Sequence, residues 1–291
     1  MPSLPVLLTL VREITTAERA SRVPEPELVM DDPAQVAAYA EAARPNGVLA
    51  PVYLFHSAHA CEVIRAGDLV LDLACGPANQ LAMIATLCPD ARFIGVDLSE
   101  TMLGRARDLM EREGIENVEL RQGDISRLPG IATGSVDAII SSLALHHLPT
   151  LDQLKATFAE MARVLKRGGG VYVSDLGHLK SERSIEYFAR QYADRQPELF
   201  TLDYLNSLRA AFAVEDFRAA GAPIAGAARL YTTFLAPYMI AFKSAARRTL
   251  EPALSRRFQE LRAALPHHHR VDLKDLSTFF RLGGLSSRLL G

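Results

Sequence analysis

Leu69-Val70-Leu71-Asp72-Leu73-Ala74-Cys75-Gly76-Pro77-Ala78-Asn79 is an apolar run of strand length that breaks into a turn of small residues. A run without polar alternation that ends at a glycine reads as a buried parallel strand. A helix follows from Asn79 to Leu87, closed by Pro89-Asp90. Ala91 to Asp97 is a second strand. Ser99 then caps a helix whose residues Met102, Leu103, Ala106, Leu109 and Met110 recur at helical spacing, with Gly114 as its stop. Val118–Gln122, Val136–Ser141 and Val171–Ser174 read as further strands. Leu151, Leu154, Phe158, Met161 and Leu165 mark a helix that Gly168 to Gly170 are predicted to end. Strands alternating with helices of this length mean βαβ units and a parallel sheet covered on both faces.

The flanks read differently. Residues 1–67 are helical, with breaks at Pro24, Pro26 and the Arg44-Pro45-Asn46-Gly47 turn. Asp32 is placed as an N-cap before Pro33. A second helix over Pro51–Arg65 is expected to turn Val52, Phe55, Ala58 and Val63 towards one face. After Asp175 a helical stretch runs from Lys180 to about Ala211. Leu230–Leu235 and Tyr238–Lys243, joined by Ala236-Pro237, form a hairpin signal. Residues 244–291 carry nine Lys or Arg against four acids, a net of +5 that leaves −7 for the rest. In this extension Leu250, Leu254, Phe258, Leu261 and Leu265 share one helical face, which must dock on its own domain or on a second subunit in a homodimer.

The 291 residues are 49% hydrophobic and 23% charged with a net charge of −2, which excludes disorder and a fibrous protein. No run approaches the ~18 apolar residues of a membrane span, and no secretory signal is evident. Cys61, Cys75 and Cys88 sit singly, which suits a reducing compartment and hence the cytoplasm.

In an open α/β sheet, ligands bind beyond the carboxyl ends of the strands. Asp97 ends the second strand 21 residues after Gly76, where an acid can accept bonds from both hydroxyls of a ribose. The turn Gly76-Pro77-Ala78-Asn79-Gln80-Leu81 is not the GxGxxG of nicotinamide enzymes. The sequence resembles class I S-adenosylmethionine-dependent methyltransferases over residues 68–243. The resemblance rests on 70–78, Gly-Val-Asp-Leu-Ser-Glu-Thr-Met-Leu (95–103), Gln-Gly-Asp-Ile (122–125), 136–148 and Leu-Lys-Arg-Gly-Gly-Gly (165–170), in order.

That resemblance implies a doubly wound, mainly parallel seven-stranded sheet of the Rossmann-like methyltransferase fold, its last strand antiparallel. It implies a helical cap over the active site (1–67), the methyltransferase domain (68–243, with a helical insert at 180–211 near the substrate) and a helical extension (244–291). S-adenosyl-L-methionine is the implied cofactor and S-adenosyl-L-homocysteine the product. Backbone at Ala74 and Gly76 would face its methionine part, with Asp72 supporting the amino group. Asp97 would hold the ribose, Leu98 and Met102 would pack against adenine, and Asp124 and Ile125 would bond its edge. Ser141 would lie beneath the methionine portion. Alanines at 74 and 78 stand where the family has glycine, and Ala78 is expected to hold conventional backbone angles.

His146 and His147 are candidate catalytic residues, since an imidazole can take a proton near neutral pH. Tyr53 and His56, with His59 on the same helix, and Asp175 are placed at the substrate. No metal is required. The cap and the insert argue for an enclosed small-molecule substrate. Aromatic content of 7%, no Trp and a basic excess confined to the tail argue against nucleic acid. An RNA or protein methyltransferase, or a non-catalytic S-adenosylmethionine-binding regulatory module, remains open on the sequence.

Overall fold

The computed structural model describes residues 4–17, 19–26, 32–44 and 46–290. Pro45, within the predicted turn, lies outside the described residues. Seven strands form one sheet: β1 (Leu69–Leu73), β2 (Arg92–Asp97), β3 (Val118–Gln122), β4 (Val136–Ser142), β5 (Leu165–Leu176), β6 (Arg229–Thr232) and β7 (Met239–Lys243). Their order is β3-β2-β1-β4-β5-β7-β6, parallel except where β7 runs antiparallel between β5 and β6. The chain reverses direction of progress between β1 and β4, and the crevice beyond these strand ends is where a doubly wound sheet binds ligand.

Alternation along the strands feeds two cores. Val70, Phe93, Ala138 and Tyr172 face one side, with helices α3 (Ala50–Val63) and α4 (Asn79–Leu87). Leu71, Ile94, Ile139 and Val173 face the other, against α6 (Leu151–Val164) and α9 (Val214–Ala220). Between them in sequence come α5 (Glu100–Glu113), α7 (Glu182–Arg190) and α8 (Glu198–Ala210). The helical stretch over 180–211 is built of two helices, α7 and α8. Ahead of α3 lie α1 (Leu4–Thr15) and α2 (Pro33–Ala42), and the Asp32 carboxylate accepts from the Ala34 and Gln35 N–H groups as a cap should.

Two local expectations are corrected. Gly168–Gly170 do not end a helix: α6 stops at Val164, and the glycines lie inside β5. There the pairing jumps from Val136 with Leu165 to Ala138 with Gly170, so residues 166–169 bulge out of register. Gly170 answers a close approach, since a Cβ there would stand 2.3 Å from the Val63 carbonyl oxygen. The second correction concerns α3, which presents no single apolar face. Thirteen of its fourteen residues are buried, because sheet, α4 and the C-terminal helices surround it.

Those C-terminal helices are α10 (Pro252–Ala264) and α11 (His267–Leu282). Their apolar face is covered within the chain: Leu254, Phe258, Leu273, Leu276 and Phe280 are buried, and the Phe280 ring stacks on Phe55 of α3 at 5.1 Å. At the entry to the extension, Arg247 donates to Asp68 at 2.7 Å and to the Val63 and Asp137 carbonyls. A second subunit is not needed to cover these leucines. Phe280→Ala removes a fully buried ring and should destabilise the fold by about 3–5 kcal/mol. Urea unfolding measures that loss, and limited proteolysis should cut first within 244–291.

Candidate active site

A cavity of about 200 Å³ opens beyond the ends of β1, β2 and β4. Asp72, Ala74, Gly76, Asp97, Leu98, Met102, Asp124 and Ile125, all singled out by sequence, line it. Asp97 ties two of its walls together. One carboxylate oxygen accepts from Gly76 N at 2.7 Å and the other from Ser99 N at 2.9 Å, so the turns after β1 and β2 are held by a single side chain. Ser99 in turn accepts from Met102 N and starts α5, fixing Met102 at the cavity. Leu98 is 40% exposed at the mouth, an apolar surface open to a ligand. Asp124 uses one oxygen on its own turn, accepting from the N–H and hydroxyl of Ser126.

The turn after β1 departs from expectation. Ala78 does not hold conventional angles: its φ is +60°, and that of Ala74 is +54°. The left-handed shape is retained with alanine in place of glycine, at a cost of about 1–2 kcal/mol for each residue. Helix α4 and Asp97 hold the turn in that shape.

Asp72 is buried at the base of the cavity. Burial, and then the nearby Asp97, push its carboxyl well above the ordinary carboxylate range. This corner is short of positive charge. Tyr39 and Tyr53 close the opposite side, their hydroxyls 2.9 Å apart. Tyr53 was anticipated; Tyr39 was not.

Three expected contacts are corrected. Ser141 does not line the cavity; its buried hydroxyl donates to the Leu73 carbonyl and pins β4 to β1, while its neighbour Ser142 reaches the wall. His56 is turned into the core, its Nδ1 2.7 Å from the Tyr172 hydroxyl, and burial depresses its pKa to about 3. Asp175, fully buried at the end of β5, meets no open space. It accepts from the His146 backbone N–H at 2.9 Å and holds His146 Nδ1 at 2.6 Å.

The two adjacent histidines therefore have different surroundings. His147 lines the cavity, and burial followed by its neighbour His146 holds it neutral. His146 lies behind it, 3% exposed. Burial opposes its charge, but Asp175, by charge and hydrogen bond, with Glu25 and Asp203 beyond, outweighs burial and raises its pKa.

Glu25, Arg22 and Asp203 were not anticipated. Arg22 stacks on Phe212 and donates to the carbonyls of His146, Leu148, Pro149 and Ala210, clasping the segment after β4. Glu25 is 3.9 Å from His147 Nδ1 and accepts from Ser207. Burial, then Glu25, raises the Asp203 carboxyl to about 6. Glu25, His146 and His147 place one ligand-capable atom each within 4.8 Å of one another, the group that could hold a metal among the described residues. No local signal marks Glu25, which sits between two prolines outside any periodic segment.

Fold and site together define a doubly wound protein with a crevice beyond the carboxyl ends of its central strands. Residues 70–169 match the family model of a methyltransferase domain. The chain is 36% identical over 118 residues to the arsenite methyltransferase of Halobacterium salinarum, covering 40% of this chain and 29% of that one. To the demethylmenaquinone methyltransferase of Lactococcus lactis it is 34% identical over 119 residues, 39% of this chain and 46% of that one. It thus spans less than half the length of these curated relatives. The plantazolicin methyltransferase BpumL, solved in complex with S-adenosylhomocysteine, shares the fold: TM-score 0.57, 15% identity, 91% of this chain and 96% of that one. A S-adenosylmethionine-dependent methyltransferase structure from Methanococcus maripaludis, described as putative, gives TM-score 0.53 at 17% identity, covering 79% and 99%. Residues 70–169 thus match a methyltransferase-domain model, and the chain shares its fold with these solved methyltransferases.

Asp175→Ala leaves His146 buried without its counter-charge, a loss of about 3–5 kcal/mol. Because the folded His146 pKa is raised, the pair's charge-linked stability is full below the unfolded value of about 6.5 and fades as pH rises through the folded value. The wild-type advantage over the variant in urea should therefore be larger at acid pH than at alkaline pH. An unchanged difference across that range refutes the charged-pair account.

Proposed function

We propose that this protein transfers a methyl group from S-adenosyl-L-methionine to an O, N or C nucleophile of an enclosed small molecule. The observation that carries it is Asp97: a carboxylate at the carboxyl end of β2, anchored by two backbone N–H groups and lining the cavity where an acid can accept from ribose hydroxyls. The rest of the cavity fits the cofactor. Asp72 awaits a cation, which the amino group supplies; Leu98 and Met102 offer apolar faces to adenine; Asp124, whose second oxygen lies 3.9 Å from Arg127 Nε, lines the wall for its amino edge. When bound, the cofactor supplies an electrophilic methyl on a sulfonium sulfur.

The protein's part is then position and proton handling. Alignment of nucleophile and methyl can lower a barrier by ~7–11 kcal/mol. Tyr39 and Tyr53 close the cavity and exclude water. His147, held neutral, accepts a proton from a hydroxyl or amine nucleophile. His146 acts from behind it, fixed by Asp175 and kept in place by the Arg22 clasp. Asp175 and Ser141 are positioning residues in this scheme rather than contacts.

An arsenite-type substrate, as named for the Halobacterium relative, finds no thiol cluster here. Cys75 is the cysteine lining the cavity among the described residues, while Cys61 and Cys88 meet each other in the core, Sγ to Sγ 3.5 Å. Free cysteines so close fit a reducing compartment, and we place the protein in the cytoplasm. Among the described residues no helix is long and apolar enough to cross a membrane.

Asp97→Ala should weaken S-adenosylhomocysteine binding about 10- to 100-fold, the loss of a charged acceptor worth roughly 1.5–3 kcal/mol. Calorimetric titration reads the affinity and circular dichroism checks that the sheet persists. Undiminished affinity in a folded variant would remove the cofactor assignment.

A further inference from the structure

The basic C-terminal helices build something besides a cover. A second cavity, about 220 Å³, lies between α3, α11 and the segment that follows it, and shares no lining residue with the first. Phe55 and Leu273 form part of its apolar wall, while Arg262, Lys274 and Arg281 stand at its rim. No acidic side chain lines it, and none of the three cations forms an ion pair among the described residues. The net +5 of residues 244–291 is thus partly concentrated around one opening.

The buried end of the cavity supplies an independent observation. His59, fully buried, reaches this wall from α3. Its Nδ1 lies 2.8 Å from the Lys243 ammonium, which Glu62 keeps in place. An ammonium only donates, so Nδ1 must be the acceptor and the proton of the neutral ring sits on Nε2. Burial, and then Lys243, keep the ring neutral. His59 Nε2–H is therefore a buried donor, and it has no acceptor among the described residues. Buried donors are rarely left so.

We propose that this cavity binds a small organic oxyanion, a carboxylate or phosphate monoester carrying an apolar body. The oxyanion would accept from His59 Nε2–H and from the guanidinium and ammonium groups at the rim, and the body would rest on Phe55 and Leu273. Helix α3 is shared, carrying Tyr53 to the first cavity and Phe55 and His59 to the second.

The test is calorimetric titration of the full chain with benzoate, phenyl phosphate and inorganic phosphate, alongside Lys274→Gln/Arg281→Gln. Both substituted residues are exposed, so the variant folds, and its melting temperature confirms this. At least one aromatic anion should bind with a dissociation constant below about 1 mM and lose about tenfold or more in the variant. Benzoate against phenyl phosphate separates carboxylate from phosphate. The His59 Nε2–H resonance should also shift on binding. No binding by any probe, equal affinity in the variant, or binding that leaves that resonance unmoved overturns the proposal.

Discussion

The bond between Asp175 and His146 organises the crevice end of this molecule. Asp175 closes β5 and His146 belongs to the turn after β4, so the pair ties two neighbouring strands at their carboxyl ends. A buried carboxylate survives only with such company. Once that turn is fixed, its carbonyls become a platform for Arg22, whose guanidinium draws the N-terminal segment across. Glu25 then arrives beside His147 three residues further on. The N-terminal segment is therefore held at this turn by Arg22 and Glu25, in addition to the apolar packing of Val6, Leu10, Ala38 and Ala42.

What the sequence disclosed divides along the range of the forces involved. The strand-turn-helix after Leu69, the acid at Asp97 and the Ser99 cap depend on local pattern, and all three were legible. Gly168–Gly170 misled because a glycine run reads as a stop, whereas here it serves a bulge and the approach of the Val63 carbonyl, 107 residues earlier in the chain. Ala78 misled in the opposite sense: alanine resists a positive φ in isolation, yet the surrounding turn imposes one. Helix α3 offered Tyr53, His56 and His59 on nominally one face. Burial on every side sent them to three different environments: the crevice, the Tyr172 hydroxyl and the Lys243 ammonium.

Glu25 and Asp203 could not be read from sequence for the same reason. Each is one acid among many in an ordinary surrounding, and their meeting depends on the Arg22 clasp and on how α8 packs. Neither event leaves a trace in spacing or periodicity.

A common electrostatic thread runs through the crevice. Asp72 at its base and Glu25 and Asp203 near the histidines all have raised pKa values, each chiefly because burial penalises their charge. A site that buries these three carboxyls besides Asp175, with one arginine and one raised histidine, favours arrivals that bring positive charge. On the proposed reading the cofactor brings two, an ammonium to Asp72 and a sulfonium towards the histidines. The nucleophile's proton is a third positive charge, released where acids already compete for it. On that reading, a neutral nucleophile suits such a balance better than a preformed anion.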